Sequence, residues 1–142
     1  MLPPDPRQRA RVRFLSRFHD LYLEPPVRAL FAQVSPARRD AAQVDSLRQA
    51  IQLRVDQLAD WTQPQPFLAT PRISLADCGP LVTLPLACQL LDTCGQPLVL
   101  PGPLQAWLEA AAQEPAVERA LSGWRVATRD WLQRSTSTNT QA

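Results

Sequence analysis

The chain has 142 residues, 45% of them apolar, and a formal net charge of +2. That length supports one domain with its own core, and the near-neutral balance gives no argument for nucleic acid as a partner. No apolar run is long enough to cross a bilayer, and the start, MLPPDPRQRARVRF, lacks the apolar core of a signal peptide. A cytoplasmic protein with no membrane partner is expected.

Ala, Leu, Gln and Arg dominate and β-branched residues are sparse, which favours helix. The first predicted helix opens on Asp5 as its cap, with Pro6 at the first helical position. Phe14, Phe18, Leu21, Tyr22 and Pro25 share one face of it, and Arg9, Arg13 and Arg17 form a stripe opposite. An aromatic stripe at this spacing is ordinarily core, and a stripe of arginines is ordinarily a solvated face. Pro25 and Pro26 lack amide donors and must kink or break the helix, which resumes as VRALFAQV. A second helix spans SPARRDAAQVDSLRQAIQLRVDQLADWTQ, with Val44, Leu47, Ile51, Val55 and Leu58 spaced as a bundle seam. PQPFLATPR reads as a Pro-rich loop.

SLADCGPLVTLPLACQLLDTCG is apolar on nearly every side, as the buried centre of a bundle is. Ser74 precedes it and Asp77 stands three residues on, the S-x-x-D form of a capping box, so the helix is expected to begin at Leu75. A catalytic reading of Ser74, Asp77 and Cys78 needs a base. The only His, His19, is far away in sequence and reads as a surface or edge residue without metal partners. Ser74 and Asp77 are therefore structural, with no catalytic residue and no metal site expected. Pro80 and Pro85 predict a kink or local widening in this helix, eased by Gly79. Cys78, Cys88 and Cys94 fit neither a disulfide framework nor a zinc spacing and read as small apolar fillers. PLQAWLEAAAQE, PAVERALSG and WRVATRDWLQRS follow as three helices, ahead of a polar tail. The expected fold is an all-α bundle of about five to seven helices. Residues 1–4 read as a linker remnant, 5–134 as the domain and 135–142 as a flexible tail.

The S-x-x-D box opening a buried central helix after a PFL loop resembles the C-terminal helical domain of cytosolic glutathione S-transferases. DPRQRARVRFLSRFHDLYLEP is similar to the first helix of that domain, with LPP as the interdomain linker. FLATPRISLADC resembles the element that leads into its central helix, with Thr70 and Pro71 where a Gly is common. LPGPLQAWLEAAAQEPAVERAL resembles its ending, and the resemblance covers roughly residues 3 to 122.

The resemblance implies the half of a transferase that offers an apolar pocket to hydrophobic electrophilic small molecules. The first helix would contribute Phe14, Arg17, Leu21 and Tyr22, and the last would contribute Trp124. Arg13 and Arg17 would face the cleft or a second subunit, where the family often has an acidic or polar residue. The thioredoxin-like half, which binds glutathione and activates its thiol, has no counterpart in this sequence. The chain alone is thus expected to bind no cofactor, with glutathione a co-substrate only when a thioredoxin-like domain is supplied. The alternative is a stand-alone helical protein-interaction module without enzymatic activity.

Overall fold

The computed structural model describes residues 1–64 and 66–137, which form helices, turns and loops and contain no strand. Six α-helices follow in order: α1 (Pro6–Phe18), α2 (Glu24–Ala29), α3 (Ala41–Trp61), α4 (Leu75–Thr93), α5 (Gly102–Ala112) and α6 (Pro115–Ser137). The expected all-α architecture is present.

α1 begins as its sequence dictates. Asp5 caps it by accepting from the Gln8 amide at 2.8 Å, and Pro6 follows. The rod does not break before Pro25 but widens into a π-turn over His19–Leu23, where the Glu24 amide reaches the His19 carbonyl five residues back. Pro25 and Pro26 offer no amides to the carbonyls of Leu21 and Tyr22, and the wider turn accommodates that loss.

α3 starts later than its sequence pattern suggests. Pro36–Arg38 form a 3-10 turn, and Asp40 then caps α3 by accepting from Ala42 at 2.9 Å and Gln43 at 3.1 Å. Its seam is as expected: Val44, Ile51, Val55 and Leu58 are buried, and Leu47 packs at the edge of the core.

α4 is the central helix and begins at Leu75 with Ser74 outside it. It packs against α1, α2 and α3, and Leu81, Leu84, Ala87, Leu90 and Leu91 are buried. The expected widening at Pro80 and Pro85 is not found, because both lie within continuous α-helix. Neighbours on several sides hold the backbone in place despite two missing amide donors. The helix ends where Gly95 turns left-handed at φ 75°. The Gln96 amide then bonds the Leu91 carbonyl at 2.9 Å and the Gly95 amide bonds Asp92 at 3.0 Å, the paired closure that favours glycine.

The last two predicted helices are one. Gly123 lies inside α6 with helical backbone and nothing within 4 Å of a Cβ placed on it. Glycine there weakens the helix without ending it. α6 also continues through Ser135, Thr136 and Ser137, the first three residues of the expected tail, and 138–142 lie outside the described residues. α6 rests on α5, with Val117 its only buried residue among those described.

Candidate functional site

Asp77 organises one end of the bundle. Its side chain is fully buried, and four donors converge on its two oxygens. Oδ2 accepts from the Ser74 amide at 2.8 Å and the Ser74 hydroxyl at 2.9 Å. Oδ1 accepts from the Leu68 amide and the Trp107 indole Nε1, both at 2.9 Å. The capping box is present in both directions, but unequally. The carboxylate half is well aligned, whereas the Asp77 amide is directed at the Ser74 carbonyl at 3.1 Å and the hydroxyl gives its proton to the carboxylate. The box therefore does more than cap α4: it ties the loop at Leu68 and the core face of α5 to the same carboxylate. The chain start joins this end as well, since the Met1 carbonyl accepts from the Leu75 amide at 3.1 Å. Residues 1–4 and 70–74, with Gln8, line an open cleft of about 540 Å³.

The residues expected to form a pocket fall in two places. Phe14, Leu21 and Tyr22 are 52%, 55% and 52% exposed, which corrects the reading of these three as core, whereas Phe18 of the same stripe is buried as expected. The buried line of α1 is Val12, Leu15 and Phe18, and α1 packs against α4. Phe14 lies against Trp61 with ring centroids 5.3 Å apart, and Phe18 meets the same indole edge-on at 4.9 Å. Tyr22 lies beside Phe18 and carries the Arg54 guanidinium 5.4 Å above its ring. Trp124 is elsewhere, in an apolar groove of about 300 Å³ with Phe31, Leu86, Ala127, Thr128 and Trp131. Arg13 and Arg17 are exposed, and Arg17 stands 3.6 Å from Asp20. Arg9 donates to the Pro4 carbonyl at 2.8 Å.

His19 is buried, not at the surface. Its ring lies against Gly79, where a Cβ would stand 2.4 Å from Nδ1. Close approach of the imidazole thus accounts for glycine at 79. Nε2 meets the Thr83 hydroxyl at 2.7 Å and Nδ1 meets Asp20 at 3.0 Å. A carboxylate only accepts, so Nδ1 carries the proton. His19, Asp20 and Glu24 place ligand-type atoms within 4.8 Å of one another, but each already has a protein partner, Glu24 through Arg28 at 2.6 Å.

The thiols are unsuited to nucleophilic work. Burial, reinforced by Asp92, pushes Cys88 up to about 11. Burial and then Asp77 raise Cys78, and burial raises Cys94 against an opposing pull from Arg39. A raised thiol supplies little thiolate near neutral pH.

Sequence reasoning missed His19, Trp61 and Arg54. The signal for His19 was the Gly79-x-x-x-Thr83 spacing, which opens a notch and sets a hydroxyl one turn away on the same face of α4. A scan against models of protein families and a search of curated proteins return no match.

Proposed function

We propose that this chain is the helical, hydrophobic-substrate portion of a glutathione S-transferase-like protein, conjugating glutathione to electrophiles only together with a thioredoxin-like half. The observation that carries the reading is the Asp77 assembly. The residues on which the sequence resemblance rests, Ser74, Asp77 and Trp107, are joined through one buried carboxylate. In such a reaction the glutathione sulfur bonds to an electrophilic carbon, which either expels a leaving group with its electron pair or, at an activated double bond, passes the π pair to a neighbouring atom that takes up a proton. The thiol proton must leave first, which needs a positioned donor or a helix N-terminus to stabilise the thiolate. The raised thiols of this chain offer no substitute nucleophile, and Tyr22 is half exposed beneath Arg54. The chemistry therefore belongs to the other half. The chain start, to which that half would connect, lines the cleft formed with residues 70–74.

Titration calorimetry with glutathione tests this reading. The chain alone should give no heat of binding, and a fusion carrying a thioredoxin-like domain ahead of Pro3 should bind. A fusion that folds and still ignores glutathione would contradict it. The exposed Phe14, Leu21, Tyr22 and Trp61 favour a second reading, a helical protein-interaction module without enzymatic activity.

A further inference from the structure

We propose that the outward face of α1 is a docking surface for an acidic amphipathic helix of a partner protein. Arg7, Ala10, Phe14 and Arg17 of α1, with Leu21 of the π-turn that follows it, stand at alternating steps of three and four residues, and all five are exposed. That alternation is the seam by which one helix packs along another. Three of the five are apolar, and the Trp61 indole widens the apolar strip beside Phe14.

The charge of α1 selects the partner. Pro6–Phe18 contains five arginines and no acidic residue. Arg9 and Arg11 donate to the neutral carbonyls of Pro4 and Trp61 rather than to a carboxylate. Arg17 shares Asp20, and among the described residues Arg7 and Arg13 have no hydrogen-bond or ion-pair partner. A complementary surface must carry carboxylates beside its apolar line.

The same facts disfavour other occupants. A second copy paired symmetrically through this seam would set arginine against arginine. Single-stranded nucleic acid needs open ring faces for stacking, but Phe14 and Phe18 are turned onto Trp61 and Arg54 covers Tyr22. A lipid surface needs a broad apolar face, and the larger apolar face of α1 is already in the core. This inference does not rest on the transferase reading and holds even if the chain forms no conjugates.

The test uses the full chain and a fluorescein-labelled peptide three heptads long, with Leu at the seam positions and Glu flanking them. Anisotropy at physiological salt should show saturable binding. Phe14→Ser should weaken it, and Arg13→Glu with Arg17→Glu should weaken it about ten-fold or more. The charge-reversed variant should in turn prefer a peptide with Lys replacing Glu. These side chains are exposed, so circular dichroism should be unchanged. Equal binding of acidic and basic peptides by the native chain would overturn the proposal. So would tighter binding to a single-stranded oligonucleotide or to phosphatidylserine vesicles, or a dimer in sedimentation that Phe14→Ser dissociates.

Discussion

Substitutions at the Asp77 assembly should rank by how many buried donors they orphan. Ser74→Ala removes the hydroxyl but keeps the backbone donor on Oδ2, so it should cost about 0.5–2 kcal/mol, as lost caps do. Trp107→Phe removes one donor to a carboxylate, worth about 1.5–3 kcal/mol. Asp77→Ala orphans the buried Leu68 amide and the Trp107 indole together and should exceed both in chemical denaturation. A fall in midpoint for Asp77→Ala no larger than for Ser74→Ala would contradict the hub. Gly79→Ala drives a methyl into the His19 ring and should destabilise, while His19→Ala in the same chain should recover part of the loss through non-additivity. Strictly additive effects would contradict the notch. The thiols set a pH limit. Cys88 deprotonates at about 11 when folded, above its unfolded value of about 9, so its contribution is full below pH 9 and is lost as pH rises toward 11. Native labelling at neutral pH should be slow at Cys88 and fastest at Cys94, where Arg39 opposes the rise.

At the scale of elements, helix and loop were legible where one physical signal stood alone. Asp5–Pro6 announced α1, the Val44-to-Leu58 seam announced α3, and Ser74 marked the start of α4. Sequence pattern and structure part where other forces override the local signal. Gly123 looked like a stop, yet helix continues through it. Gly123→Ala should therefore raise the thermal midpoint, since the added methyl meets nothing within 4 Å and alanine is favoured by about 1 kcal/mol in helix. A lowered midpoint would return the break to position 123. Phe14, Leu21 and Tyr22 read as core because periodicity shows that residues share a face, not which face the bundle covers. The face turned inward carries Val12, Leu15 and Phe18, and His19 is seated in a notch provided by a helix 60 residues later in the chain. No local pattern encodes that contact.

At the scale of the whole molecule, the bundle has a satisfied interior and an unusual exterior. Among the described residues no buried side-chain nitrogen or oxygen lacks a partner, whereas aromatic and aliphatic side chains beside the arginines of α1 face water. Well-satisfied cores serve stability, and exposed apolar patches serve association. That contrast supports the proposal that the chain works together with a partner. The candidate site was only half legible for the same reason. Asp77 could be read as a cap from its spacing, but its links to Leu68 and Trp107 depend on tertiary folding. The most direct measurement is glutathione-dependent turnover of an aromatic electrophile, with the purified chain and the thioredoxin-like fusion assayed side by side. The rate for the chain should be indistinguishable from the uncatalysed reaction, and the fusion should show clear saturable turnover. Robust turnover by the 142-residue chain alone, or a folded fusion as inert as the chain, would contradict it.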